Sequence, residues 1–223
     1  MEPSATDGLP IPQRYRAIAV VGLGVTMAVL DGAIANIALP TIARDLNATP
    51  AESVWIVNAY QLVVMISLLP LSSLGETIGY ARIYRVGLAI FGVASLACAL
   101  SDSLTTLTLA RVLQGAGAAC LMSVNTALIR FIYPRAQLGR GIGINAFVVA
   151  TAAAAGPTIA AGILSIADWP WIFAVNVPIS LLAFAISRSL PGTRRATHRF
   201  DWGSAALNAI AFALLITIID DIG

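Results

Sequence analysis

The sequence predicts an all-α protein that crosses a membrane several times. Hydrophobic residues make up 58% of the 223 residues and charged residues only 11%, against about 25% charged in soluble domains. Long apolar runs alternate with short polar segments, and each run, as a helix, can cross a hydrocarbon core about 30 Å thick. The polar segments are too short for a soluble domain, which excludes a separate catalytic or nucleic-acid-binding module and argues against an enzyme.

Seven apolar runs follow a polar N-terminal segment. Residues 1–16 contain three prolines and predict a mobile tail. The predicted spans are residues 17–39, 54–74, 83–100, 104–129, 141–166, 171–187 and 202–219. Residues 75–82 predict a tight turn between the second and third spans. We therefore expect four parts: a cytoplasmic tail at 1–16, a six-span bundle at 17–187, a basic cytoplasmic linker at 188–201 and a seventh span within 202–223.

The arginines predict the orientation. All 13 basic residues are arginine, and only Arg44 falls in a loop on the side opposite the N-terminus. Arg111 lies inside the fourth span. The other eleven fall on the N-terminal side: Arg14, Arg16, Arg82, Arg85, Arg130, Arg135, Arg140, Arg188, Arg194, Arg195 and Arg199. Because basic residues concentrate on the cytoplasmic side, the N-terminus is predicted to be cytoplasmic.

Asp31 is the acid placed deepest in a predicted span. An ionised carboxylate there costs about 2.5–3.5 kcal/mol on insertion scales, so it needs a partner, a water-filled cavity or a proton. One interpretation is a structural aspartate satisfied by a neighbouring helix. The other is a titratable group that lines a substrate path, which is favoured because no other acid lies so deep.

Arg111 is the natural partner of Asp31. Both residues lie about 11–12 Å below the outer surface at about 1.5 Å rise per residue, and each charge is costly alone. The alternative for Arg111 is that its side chain extends to the lipid headgroups. Gln114 shares its helix face, as Asn58 and Gln61 share a face of the second span. The remaining candidates either line the cavity or hydrogen-bond between helices: Asn36, Asn125 and Asn145.

Residues 151–162 contain almost no bulky side chains. In lipid, small residues allow helix backbones to approach closely. Gly156 and Pro157 lie within this stretch, and the proline removes one helical hydrogen bond and bends the helix. The stretch therefore predicts a packing face with a kink. Cys98 and Cys120 lie in apolar runs without the spacing of metal ligands, so we expect neither a metal nor a cofactor.

Six segments, in the same order along the chain, resemble motifs of the major facilitator superfamily and, within it, of the drug:proton antiporters with fourteen spans. LDGAIANIALP is similar to the first-span signature LDxTIVNVALP, and LARVLQGAGAA to the fourth-span motif with its buried arginine. AGPTIAAG resembles the antiporter motif of the fifth span. The others are WIVNAYQL, WPWIFAVNVPI and FDWGS, the last preceding the seventh run. The resemblance implies the N-terminal six-helix bundle of that family, built from 3+3 inverted repeats, plus one linking transmembrane helix.

The loop motif GxLxDRxGRR departs from the family. It reads SSLGETIGYAR here, with Glu76 in place of the aspartate, Gly79 retained and Arg82 displaced. In the family this loop acts in gating on the cytoplasmic side, so the resemblance assigns these three residues, with Gly156 and Pro157, to gating and packing.

The expected function is that of the N-terminal half of a proton-coupled antiporter. It would export hydrophobic, cationic drugs across the inner membrane of a bacterium, and a C-terminal half is expected in addition. Asp31 and Arg111 are assigned to proton coupling, and Asn36, Asn58, Gln61, Gln114 and Asn145 to the substrate cavity. The alternatives are a related carrier for another small solute or a truncated fragment that does not transport. The partners are then a proton, the substrate and the lipid bilayer.

Overall fold

The computed structural model describes residues 7–192 together with Gly203 and Leu207, and all regular structure in residues 7–192 is helical. The α-helices are α1 Ile11–Asp45, α2 Pro50–Ser53, α3 Trp55–Ile78, α4 Tyr80–Ala99, α5 Leu104–Ser123, α6 Asn125–Ile132, α7 Leu138–Ile166, α8 Pro170–Ala174 and α9 Asn176–Ile186. Two short 3₁₀ turns cover Arg135–Gln137 and Ser187–Ser189. The seventh span and the linker beyond Gly192 lie outside the described residues, apart from Gly203 and Leu207.

Within the described residues, six segments are long and apolar enough to cross a membrane. Spans one, three and five are α1, α4 and α7. Spans two, four and six are the pairs α2–α3, α5–α6 and α8–α9, each divided at a single valine: Val54, Val124 and Val175. The prediction of an all-α polytopic membrane protein with these six spans is confirmed.

For residues 7–16, the part of the predicted tail that the structure describes, the start of α1 corrects the prediction of a mobile tail. Helix α1 begins at Ile11, with Pro10 before it and a proline in its first turn, where the missing N–H is not needed. The amide of Leu9 donates to the carbonyl of Ile132 at 3.0 Å, and the Asp7 carboxylate accepts from the Arg135 backbone N–H at 3.1 Å. Residues 7–16 are therefore held against the α6–α7 connection or are helical.

The predicted eight-residue turn at 75–82 is also wrong. Helix α3 continues to Ile78 and α4 starts at Tyr80, so Gly79 alone separates the two helices. Its φ of 102° lies where side chains are strained. The Gly79 N–H donates to the Gly75 carbonyl at 2.9 Å, and its own carbonyl accepts from the N–H of Arg82 at 3.1 Å. One glycine thus reverses the chain without leaving the helical ends unpaired.

We expect Gly79→Ala to destabilise the protein by about 1–3 kcal/mol, because the backbone of an alanine is strained at this φ. Thermal unfolding in detergent measures the effect. The matched control is Gly22→Ala in α1, where an added Cβ meets no atom within 4 Å and the helix gains propensity. Equal melting temperatures for Gly79→Ala and the unaltered protein would contradict the prediction.

The core consists of two apolar clusters stacked along α1. Val20, Val21 and Met27 belong to the cluster nearer the N-terminus, and Ile34 and Ile42 to the other. Helix α1 packs along α7 and α9, while α3 and α4 pack against α5. Asp31 lies on α1 at the junction of the two clusters. The fold therefore places this acid, near the middle of α1, inside the bundle.

Candidate functional site

A buried polar cluster forms around Asp31. The residue is 3% exposed, and Arg111 and Gln114 are fully buried. The Arg111 Nη1 and the Asp31 Oδ2 form a salt bridge. The structure therefore pairs the two charges, as their equal predicted depths in the membrane suggested. The Arg111 side chain does not extend to the lipid headgroups.

Both carboxylate oxygens of Asp31 accept hydrogen bonds. Oδ2 accepts from Arg111 Nη1. Oδ1 accepts from Gln114 Nε2 at 2.8 Å and from Asn176 Nδ2 at 3.1 Å. These three donors match an ionised carboxylate, which only accepts. A proton on Asp31 would remove the charge that these donors, Arg111 above all, now stabilise.

Arg111 is held on several sides. Its Nε donates to the carbonyl of Ile56 at 3.0 Å, and its Nη1 also donates to Gln114 Oε1 at 2.6 Å. The guanidinium lies 4.2 Å from the ring centroid of Tyr60 and 5.5 Å from that of Phe173, which stabilises a cation away from water. Nη2 has no hydrogen-bond partner among the described residues.

Two glycines of α5 bring the neighbouring helices to this cluster. A Cβ on Gly115 would lie 2.7 Å from the backbone oxygen of Tyr60, and one on Gly117 would lie 2.6 Å from the backbone nitrogen of Phe91. Only glycine allows α3 and α4 to approach so closely on either side of α5. The approach to α3 lets Arg111 reach the backbone of Ile56. On the α4 side, Gln114 Nε2 reaches Ser95 Oγ at 2.9 Å.

The cluster connects five of the six described spans. Asp31 comes from span one, Ile56 and Tyr60 from span two, and Ser95 from span three. Spans four and six contribute Arg111, Gln114 and Asn176. Span five packs instead against α1 through small residues. A Cβ added to Gly156 would lie only 2.5 Å from the Ala33 Cβ. The packing face predicted from residues 151–162 is thus found at Gly156.

The remaining cavity candidates are not part of the cluster. Asn36 is exposed and donates to the carbonyl of Gly32 in its own helix at 2.8 Å. Asn145 accepts from Asn125 Nδ2 at 3.0 Å, a contact between α6 and α7 that matches the interhelical alternative. Asn58 and Gln61 lie on an exposed face of α3 and line a cavity of about 370 Å³. The substrate roles of all four stay predictions.

Of the residues assigned to gating and packing, Glu76, Gly79 and Arg82 lie at the α3–α4 connection, at one end of the bundle. Glu76 and Arg82 are exposed on either side of Gly79. Pro157 is exposed, and α7 continues through it from Leu138 to Ile166. Their gating roles stay predictions.

Sequence reasoning missed three members of the cluster: Tyr60, Ser95 and Asn176. Asn176 carried a usable signal, because it is the single carboxamide of the apolar run 171–187. Tyr60 falls between Asn58 and Gln61 but faces the opposite side of α3, and its hydroxyl donates to the Ala28 carbonyl at 3.0 Å. Serines are too frequent in membrane helices for Ser95 to stand out.

The chain resembles known transporters over most of its length. It is 63% identical over 214 residues to the uncharacterized transporter YebQ of Escherichia coli (strain K12), covering 95% of this chain and 47% of that protein. It is 37% identical over 171 residues to the riboflavin transporter RibZ of Clostridioides difficile (strain 630), covering 77% and 38%. It is 36% identical over 205 residues to the methylenomycin A resistance protein of Streptomyces coelicolor (strain ATCC BAA-471 / A3(2) / M145), covering 89% and 43%.

The chain thus spans less than half the length of these relatives. Its fold is similar to that of the proton:xylose symporter XylE, with a TM-score of 0.68 at 13% identity, covering 82% of this chain and 46% of that one. The profile of the Major Facilitator Superfamily matches residues 21–219. The chain therefore belongs to the major facilitator superfamily.

Proposed function

We propose that this chain is one bundle of a proton-coupled antiporter that exports hydrophobic small molecules. The observation that carries the proposal is the buried cluster in which Asp31, Arg111, Gln114 and Asn176 join spans one, four and six at one carboxylate. A proton on Asp31 removes the charge that holds Arg111, so it weakens contacts between spans one and four and, through Arg111, span two. Such a change is what a proton must cause to drive a transporter between two states.

Helix α3 provides the link between the proton and the substrate. Its inner face holds the Ile56 carbonyl and the Tyr60 ring against Arg111. Its outer face carries Asn58 and Gln61 at the cavity. A ligand that shifts α3 therefore alters the contacts of Arg111, and protonation of Asp31 alters the cavity. This coupling is reciprocal, as exchange of two ligands requires.

The expected cationic substrate came with the family resemblance. Its direct competition with the proton at Asp31 would need an accessible carboxylate. The structure places that carboxylate at 3% exposure beneath three donors. A substrate cation would have to compete with the Arg111 guanidinium for it. We propose that Asp31 carries the proton and that the substrate binds elsewhere in the bundle.

Eight arginines of the described residues support a cytoplasmic N-terminus for this proposal. They lie at the end of the bundle formed by the start of α1, the α3–α4 and α6–α7 connections and the end of α9: Arg14, Arg16, Arg82, Arg85, Arg130, Arg135, Arg140 and Arg188. Arg44 lies at the opposite end. Concentrated arginine marks the cytoplasmic side of a membrane. The bacterial sources of the relatives support the cytoplasmic membrane of a bacterium as the proposed location.

We expect Asp31→Asn to fold but to lose proton-driven export. The test uses everted membrane vesicles that contain the naturally expressed protein. A pH gradient energises the vesicles, and a fluorescent amine reports that gradient. Addition of a transported hydrophobic compound should dissipate the gradient with the unaltered protein and with the control Asp168→Asn, an exposed acid at a helix end. Equal dissipation by Asp31→Asn would remove Asp31 from the mechanism.

A related carrier for another solute is the second candidate, favoured by the riboflavin transporter among the relatives. The direction of transport distinguishes the two candidate functions. An importer accumulates its solute in intact cells, whereas the proposed exporter accumulates it in everted vesicles. A fragment that does not transport would show neither, because alternating access requires two bundles around a central site.

A further inference from the structure

The outer face of α3 bears a cavity of about 370 Å³. Trp55 and Met65 frame it and are 50% and 45% exposed. Between them along the helix lie Asn58 and Gln61, three residues apart and therefore on one face. Aliphatic side chains complete the lining. The cavity thus combines an aromatic ring and a thioether with two adjacent carboxamides.

These two carboxamides lack partners. Both side chains are exposed. Neither forms a hydrogen bond with any residue in the described part of the chain. Each offers two N–H donors and one oxygen acceptor. Lipid hydrocarbon cannot satisfy such groups, and each one left unpaired there costs several kcal/mol. The face therefore fits a polar occupant better than lipid.

The part of this face around Asn58 and Gln61 is uncharged, since residues 54–75 contain no acid and no arginine. In the parts of the described helices that lie away from their ends, the charged residues are Asp31 and Arg111. They neutralise each other in a salt bridge buried beneath α3. The exposed acids and arginines of the described chain lie near the helix ends.

The acid nearest the cavity is Glu52, whose carboxylate accepts from the Thr49 N–H at 2.9 Å and from the Thr49 hydroxyl at 2.7 Å. It precedes Asn58 by six residues, about 9 Å along a helix. An ion at Asn58 and Gln61 would therefore lose its hydration without a counter-charge in contact with it.

We propose that Asn58 and Gln61 form a subsite for uncharged, planar ligands that carry a lactam- or amide-like edge, with the ring against Trp55. This inference rests on the proposed function, since it names the substrate class of the exporter. A carboxamide pairs with a cis-lactam edge through two hydrogen bonds, one donated and one accepted. Selection then depends on the polar edge and not on charge.

Three ligands with the same ring system test this. They are 2-quinolone, which has the full lactam edge, 1-methyl-2-quinolone, which lacks the donor, and the 1-methylquinolinium cation. Equilibrium dialysis against the protein in nanodiscs, corrected with empty nanodiscs, measures binding. We expect saturable binding of 2-quinolone, about 3–10-fold weaker binding of 1-methyl-2-quinolone for the lost hydrogen bond, and the weakest binding for the cation.

Substitutions locate the subsite. Asn58→Leu and Gln61→Leu should each weaken 2-quinolone binding about 3–10-fold. Gln61→Glu, which keeps the shape and adds a charge, should reverse the order in favour of the cation. Ser165→Ala is the control, since Ser165 is exposed on α7 and bonds only its own helix at the Gly162 carbonyl.

Three results would overturn the inference. They are absence of saturable 2-quinolone binding, tighter binding of the cation to the unaltered protein, and unchanged binding in both leucine variants. Lower thermal stability of the leucine variants with unchanged ligand binding would instead identify a protein helix as the occupant of this face. The proposed function fails separately, if Asp31→Asn still dissipates the pH gradient, because dialysis requires neither a gradient nor Asp31.

Discussion

Replacing Arg111 by leucine is expected to destabilise the protein by about 3–5 kcal/mol at neutral pH, because removal of one partner leaves a buried charge uncompensated. Asp31 would keep only the neutral donors Gln114 and Asn176. The carbonyl of Ile56 would lose the Arg111 donor as well. Reversible unfolding in mixed detergent micelles measures the loss.

A double-mutant cycle provides the control. Asp31→Asn alone should cost less, because Arg111 keeps the Ile56 carbonyl, the Gln114 oxygen and the Tyr60 ring. The double variant Asp31→Asn, Arg111→Leu should be more stable than the sum of the single losses predicts, since no unpaired charge remains. Strict additivity would show that the two charges do not stabilise each other, and the cluster would then be no basis for proton coupling.

Replacing Gly156 by leucine is expected to separate α7 from α1 and to cost about 3 kcal/mol, at the upper end of overpacking in a tight core. The first added carbon would already lie 2.5 Å from the Ala33 Cβ, and helix backbones on both sides prevent a local shift. Melting temperature and the monodisperse fraction after size-exclusion chromatography measure the effect.

Gly162→Leu is the matched control for this prediction. It lies on the same helix, where an added Cβ meets no atom within 4 Å, so it should unfold close to the unaltered protein. Ala33→Gly should restore part of the stability of Gly156→Ala, because it removes the opposing carbon. If Gly156→Leu were as stable as Gly162→Leu, the α1–α7 packing would not depend on Gly156.

The sequence predicted the spans and the central ion pair well because both depend on one-dimensional quantities. Hydrophobic length identifies a helix that crosses the membrane, and counting residues places Asp31 and Arg111 at one depth. Gln114 followed from helical spacing. Asn176 did not, because its contact with Asp31 depends on how the sixth span packs against the first, 145 residues away.

Other errors arose from local polarity. The polar composition of residues 1–16 suggested disorder, but their prolines begin a helix and Arg14 donates to the carbonyl of Leu9 at 2.9 Å. The polar segment 75–82 suggested a loop, but Gly79 alone reverses the chain. Exposure of Asn58 and Gln61 beside a buried Tyr60 also could not be predicted, because it depends on which face of α3 packs against α5.

The separation of Asp31 and Arg111 by 80 residues affects how the protein is made. At about 5–20 residues per second, synthesis of that interval takes about 4–16 seconds. During that time the first span carries an acid whose counter-charge does not yet exist, and Asn176 follows later still. The nascent helix must wait in a hydrated or protonated form until the fourth span arrives. The charge that completes the bundle therefore also sets the order of its assembly.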